Sequence, residues 1–167
     1  MAIFDRFRKK AEVKETVQEN TIGSVAQGEV VRMEEIPDPV FSQGVLGTCC
    51  GIIPEEGKVF APIDGEIVQV ADTKHAIGIS GASETEILIH VGIDTVDMNG
   101  DGFEVKVKEG DKVKKGDLLL TMDLNKIKAA GHSDMVLVAV TNAGQSGNAE
   151  LTATGKVMPG MELFKIS

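Results

Sequence analysis

A chain of 167 residues with 42% apolar side chains has room for one domain with a sizeable core. A formal net charge of -9 argues against a nucleic-acid partner, which needs a basic face for its phosphates, and favours a protein with a basic docking patch. Nineteen glycines without a tryptophan or tyrosine point to short strands and tight turns, and no run resembles a signal peptide or reaches the roughly 20 apolar residues of a membrane-spanning helix.

The first ten residues stand apart from the rest. Arg6, Arg8, Lys9 and Lys10 sit beside Ile3, Phe4 and Phe7, which share one helical face. Such a tip either rests weakly and reversibly on an anionic membrane surface or is a solvated tail. Ala11 to about Asn20 reads as a polar linker, so residues 1–20 form a flexible basic segment and linker, and residues 21–167 a single domain.

From Gly23 onward the chain repeats itself. Ala26-Gln27-Gly28-Glu29-Val30-Val31 returns as Ile63-Asp64-Gly65-Glu66-Ile67-Val68, and the turn at Gly110-Asp111-Lys112-Val113 returns at Gly155-Lys156-Val157. A duplicated, glycine-cornered β motif follows, and with it an all-β fold: an antiparallel sandwich or barrel with little helix. Further strands are expected at Val45-Leu46, Gly51–Ile53, Lys58–Phe60, Leu118–Met122, Val136–Val140, Glu150–Thr154 and Leu163–Ile166, with a turn or two of helix at Leu124–Ala130. Cys49 and Cys50 are the only cysteines; being adjacent they exclude a disulfide framework and read as buried thiols in a reducing cytosol.

The stretch from Thr73 to Asp94 carries two of the three histidines. Two apolar, β-branched runs flank Ser80–Thr85, a polar segment suited to a hairpin turn. A symmetric turn pairs His75 with His90 and Ile77 with Leu88, which places both imidazoles on one face with Cβ atoms roughly 5 Å apart. Such a pair can bind a metal, act as acid and base, or make one ring a nucleophile and the other its stabiliser.

Five stretches carry a resemblance. Ile36-Pro37-Asp38-Pro39-Val40-Phe41-Ser42, Ala61–Ile67, Thr73-Lys74-His75-Ala76-Ile77-Gly78-Ile79, Ile89-His90-Val91-Gly92-Ile93-Asp94-Thr95-Val96 and Gly100–Phe103 occur in that order. From about Ser24 onward the chain resembles the glucose-family enzyme IIA of the bacterial phosphoenolpyruvate-dependent sugar phosphotransferase system. The resemblance implies a phosphohistidine carrier in which His90 accepts the phosphoryl group and His75 supports it. Thr73 is then placed to set the tautomer of His75, and Asp94 to orient the site. It further implies a cytoplasmic protein with no cofactor or metal. Its donor is the histidine-containing phosphocarrier protein and its acceptor the IIB domain of a sugar permease, with Val40, Phe41, Val45, Leu46, Leu88 and Val96 on the docking surface. Lys74 and His132 are expected on the surface, outside the chemistry, with His132 in an exposed loop. Two rival readings remain: a zinc hydrolase with His75 and His90 as ligands, which needs a third ligand and a base, and a lipoyl- or biotinyl-like carrier, for which Lys74 and Lys126 are poor attachment lysines.

Overall fold

Short β-branched runs cut by glycine give short strands. The structure, a computed structural model, describes residues 20–141 and 148–167, so the expectations for Met1–Lys10 and for the linker up to residue 19 lie outside the described residues. In chain order the elements are β1 (Thr21–Gly23), β2 (Gly28–Val31), α1 (Pro39–Ser42), β3 (Thr48–Pro54), β4 (Lys58–Phe60), β5 (Gly65–Val70), β6 (Ala76–Gly81) and β7 (Glu86–Val91). There follow β8 (Phe103–Val105), β9 (Lys112–Val113), β10 (Leu118–Met122), α2 (Leu124–Ala129), β11 (Val136–Val140), β12 (Ala149–Leu151), β13 (Lys156–Val157) and β14 (Glu162–Ile166). All strand pairs are antiparallel, so the all-β expectation holds. Val45-Leu46, expected as a strand, instead forms the turn after α1, where Val45 N bonds Val40 O and Gly47 N bonds Gly44 O. The strand expected at Glu150–Thr154 is shorter, ending at Leu151.

The eight-stranded sheet runs β13-β2-β3-β11-β7-β6-β5-β9, and two three-stranded sheets run β1-β14-β12 and β4-β10-β8. Side chains from all three meet in one core, including Ile22, Val59, Ile67, Ile79, Ile89, Leu120, Val138 and Phe164. The repeats seen in the sequence map onto these sheets as a pseudo-twofold. Gly28 pairs with Val157 and Pro54 just as Gly65 pairs with Val113 and Gly81. At both corners glycine is required by a close backbone approach: a Cβ would lie 1.9 Å from the Ile53 oxygen at Gly28 and 2.4 Å from the Ser80 oxygen at Gly65. Extending the registers outward matches Cys49 with Ala76 and Ala139 with His90, the axis passing through the Val138–Ile89 pair.

Where the halves differ decides where chemistry can occur. The β2–β3 connection, residues 32–47, is long and folds α1 over the outer face of the large sheet. It covers Cys49, Leu137 and Ala139 in a second apolar cluster with Ile36, Phe41, Ile93 and Met135. The matching β5–β6 connection, residues 71–75, is short and leaves its end of that face open. Cys49 and Cys50 are both free and buried, one in each cluster.

Candidate active site at His90 and His75

His90 is the penultimate residue of β7. Ile87, Ile89 and Val91 point into the main core, so strand alternation directs Leu88 and His90 to the opposite face. The β6–β7 register is offset by one residue from the symmetric hairpin expected. Ala76 pairs with His90 and Gly78 with Leu88. The cause is the turn: Ser83 and Glu84 both adopt left-handed backbone (φ 56° and 60°) within a short 3-10 segment over Ala82–Glu84.

On a regular strand this offset would put the two rings on opposite faces. His75, however, lies just outside β6, in a bend where Lys74 takes φ 62° and Lys74 N bonds Ala71 O at 2.8 Å. Val91 N still donates to His75 O (2.7 Å), anchoring the bend on β7. The bend brings the imidazoles together: their centroids are 4.8 Å apart, with planes at 78°. Lys74 is exposed, as expected.

The ring contacts distinguish the two histidines. His90 Nδ1 lies 2.8 Å from the Gly92 carbonyl oxygen. A carbonyl only accepts, so in the neutral ring Nδ1 carries the proton and Nε2 keeps its lone pair. His75 Nδ1 lies 2.5 Å from Thr73 Oγ1; when the hydroxyl donates to Nδ1, the ring proton sits on Nε2, which is then a donor. Burial lowers the pKa of His90 below the usual imidazole value, against the opposing effects of the Gly92 carbonyl, Asp38 and Asp94. Burial, and then the charge of His90, lowers that of His75. Both rings are therefore neutral at pH 7. The main influences on the two rings are burial, the Gly92 carbonyl, Asp38 and Asp94 for His90 and burial and the charge of His90 for His75, and no lysine or arginine is among them. Asp94, in left-handed backbone (φ 63°), makes no side-chain cap bond to the 3-10 turn after it and acts on His90 through its charge.

Two participants escaped the sequence reading. Asp38 caps α1, its Oδ1 accepting from Val40 N at 2.9 Å, and its charge acts on His90. Its position two residues before Val40, next to Pro39, was the available signal, since Asp-Pro is a common helix start. The Gly92 carbonyl carries no side-chain signal at all. Among the expected docking residues, Val40, Val45 and Val96 are 44%, 68% and 52% exposed, whereas Leu46 and Leu88 are half-buried. Phe41 is buried and stands edge-on to His90, with centroids 5.5 Å apart. His132 corrects an expectation: its side chain is only 15% exposed, and Nε2 lies 2.6 Å from Asp97 Oδ1.

Residues 20–146 match the family of the phosphoenolpyruvate-dependent sugar phosphotransferase system, EIIA 1. The chain belongs to this family. A glucose-specific EIIA component from Bacillus cereus is 44% identical over 146 residues, covering 87% of this chain and 88% of that protein. A glucosamine-specific EIICBA component from Bacillus subtilis is 55% identical over 119 residues, 71% of this chain, and the chain spans only 19% of that longer protein. In three dimensions the chain is similar to glucose permease IIA from Mycoplasma capricolum, with a TM-score of 0.78 and 32% identity over 86% of this chain and 93% of that one. As an EIIA member the chain is a phosphotransferase component, a phosphoryl carrier in sugar uptake. Neither rival reading, zinc hydrolase or lipoyl-like carrier, is supported by these relatives. Among the described residues no group of three His, Cys, Asp or Glu side chains is arranged to hold a metal ion. No described helix is long and apolar enough to cross a membrane.

Proposed function

We propose that His90 Nε2 is the atom that carries the phosphoryl group. The observation behind this is the 2.8 Å contact that commits Nδ1 to the Gly92 carbonyl and leaves Nε2 as the free nucleophile. The donor is the histidine-containing phosphocarrier protein. The Nε2 lone pair attacks phosphorus in line, the donor's nitrogen–phosphorus bond breaks, and its electron pair returns to the donor imidazole. His75, with Thr73 donating to its Nδ1, offers Nε2–H to a phosphoryl oxygen, and this charge-assisted bond offsets part of the cost of holding a dianion beside a half-buried ring. Among the described residues no lysine or arginine is a main influence on either ring, which favours a group that stays transferable. In the second half-reaction the thiolate of a IIB cysteine attacks phosphorus and His90 recovers its lone pair.

Relatives whose names join EIIB, EIIC and EIIA in one component, specific for glucosamine or for β-glucosides, support IIB as the acceptor. The named sugars differ among relatives, in keeping with a carrier that touches phosphoryl groups and never the sugar. Val40, Val45 and Val96, with Leu46 and Leu88 behind them, supply the apolar surface on which both partners dock. The protein works in the cytoplasm, and any membrane contact falls to Met1–Lys10.

Intact-protein mass spectrometry after incubation with phosphoenolpyruvate and the two general phosphotransferase proteins tests the reading. One added phosphoryl mass of roughly 80 Da, removed by acid and absent in His90→Ala, is expected. No gain in folded protein, or a gain that survives in His90→Ala, refutes it.

A further inference from the structure

We propose that Thr95 and the His132–Asp97 pair form a clamp that positions His90 by holding the Gly92 carbonyl on its Nδ1, a role that rests on the phosphoryl-carrier function above. The clamp is built on two consecutive peptide groups. In the Val91–Gly92 peptide the carbonyl accepts from Thr95 Oγ1 at 2.5 Å, and the N–H donates to Met135 O at 2.9 Å. In the Gly92–Ile93 peptide the carbonyl accepts from His90 Nδ1, and the N–H donates to Ser133 O at 3.0 Å. Both planes are therefore tied at both ends, and the ring of the nucleophile is one of the four ties.

Thr95 is placed to act on this loop and on little else. It is fully buried, one of only three buried polar residues among those described. Its methyl group also fills the space beneath Gly92: a Cβ built there would lie 2.4 Å from Thr95 Cγ2 and 3.0 Å from Ser133 O. Gly92 itself takes φ 80°, so the loop is confined to a backbone that glycine adopts without strain.

The other two backbone acceptors, Ser133 O and Met135 O, belong to the segment between α2 and β11. Their place relative to Gly92 depends on what holds that segment. Met135 N donates to Ser133 Oγ (3.2 Å), bracing the segment internally. His132 then bridges outward to Asp97 in the 3-10 turn Thr95–Met98, the same turn that carries Thr95. The pair thus closes a ring: β7, Gly92, Thr95, Asp97, His132, Ser133 and back to Gly92. A histidine whose Nδ1 lacks a fixed acceptor distributes its proton between two nitrogens, and each molecule protonated on Nε2 has no lone pair for phosphorus.

None of these residues touches the reacting atoms; they act through Gly92. The test is therefore the tautomer of His90, read in the full-length, isotope-labelled protein from long-range proton–nitrogen NMR spectra of its ring, beside the rate of phosphoryl acceptance. In the native chain the ring is expected as Nδ1–H. Thr95→Val, which keeps the shape and removes the hydroxyl, and His132→Ala should each shift it toward a mixture and slow acceptance by between about two- and tenfold, the fold-change of one net hydrogen bond, with KM for the donor unchanged. Thr95→Ser should restore both. A ring that stays wholly Nδ1–H in Thr95→Val and in His132→Ala overturns the clamp, as does a rate loss that Thr95→Ser fails to rescue. A tautomer shift in a protein that never accepts phosphoryl supports the clamp and overturns the carrier reading instead.

Discussion

His75→Gln separates the role of the second imidazole from that of the first. The rings lie 4.8 Å apart, and Thr73 Oγ1 occupies His75 Nδ1, which leaves Nε2 as the nitrogen that, in the proposed transfer, donates to the phosphoryl group on His90. A hydrogen bond to a charged acceptor contributes about 1.5–3 kcal/mol, equivalent to roughly 10- to 150-fold in rate. His75 is only half-buried, and solvent screens the interaction, so the lower end applies and a loss of about tenfold is expected. Glutamine can still donate an amide N–H to a phosphoryl oxygen, but it lacks the ring that Thr73 holds, so the bond is weakened rather than abolished. Acceptance from the phosphocarrier protein should therefore persist, while onward transfer to a IIB domain slows. Rapid-quench measurement of both half-reactions, with labelled phosphoryl followed from donor to His90 and from His90 to IIB, gives the two rates separately. Onward transfer at the native rate in His75→Gln refutes the assignment, and so does loss of acceptance in that variant with retention in His90→Ala.

Charge, pH and the duplicated fold give four further expectations. The Asp38 and Asp94 carboxylates raise the His90 pKa, so Asp38→Asn and Asp94→Asn should each extend phosphoryl acceptance to lower pH; an acid limb displaced to higher pH contradicts this. Both active-site imidazoles titrate below the usual value near 6.5 in the fold, so the unfolded chain binds more protons as pH falls through that value. The stability they contribute is present above about pH 6.5 and is lost on acidification, before the carboxylates titrate; the urea midpoint should fall from pH 7.5 to 5.5, and less steeply in a His75→Gln, His90→Gln double variant. Gly28→Ala and Gly65→Ala should each cost about 1–3 kcal/mol in urea titrations, because the new Cβ meets backbone oxygen at 1.9 and 2.4 Å; a neutral outcome at both would dispose of the close-approach reading of the repeat. Ala139→His places an imidazole at the pseudo-twofold twin of His90, where exposure is 0%, and should destabilise by at least about 2 kcal/mol without adding a second phosphoryl group to the intact mass.

How far the sequence foretold this site depends on whether a local signal existed. The duplication was legible because Gly28 and Gly65 answer the same backbone contact, and a Cβ there is excluded in both halves. The histidine pair and the Thr73 contact were legible from spacing, although for a partly mistaken reason. The hairpin register came out one residue off, since nothing in Ala82-Ser83-Glu84 announces two successive left-handed residues; glycine or asparagine is the usual marker. That offset did not separate the rings, because Lys74 in left-handed backbone turns His75 out of the strand alternation on which the expectation rested. The charge of Asp38 on His90 and the contact of His132 with Asp97, which takes His132 out of the exposed loop expected for it, have no local signal because the partners lie far along the chain. Contacts of that separation leave no periodicity to read.

A fold with two matching halves still makes one site, and the reason lies in its connections. The twofold that relates His90 to Ala139 also relates Ala76 to Cys49, so either end of the outer sheet face had the geometry for an imidazole. At the Ala139 end, residues 32–47 seal the face. There Cys49 Sγ donates to Phe41 O at 3.1 Å, and burial pushes the Cys49 thiol up to about 11, an environment that disfavours any charged group. That same segment, while closing one end, delivers Phe41 and Asp38 to the other, where they flank His90 as an apolar edge and a negative charge. The short 71–75 connection cannot reach across its own end, and the bend it makes supplies His75 and Thr73 instead. The two halves share one scaffold, and their unequal loops bring different groups to His90: one loop covers it and sets a negative charge beside it, and the other supplies a second imidazole with its threonine partner.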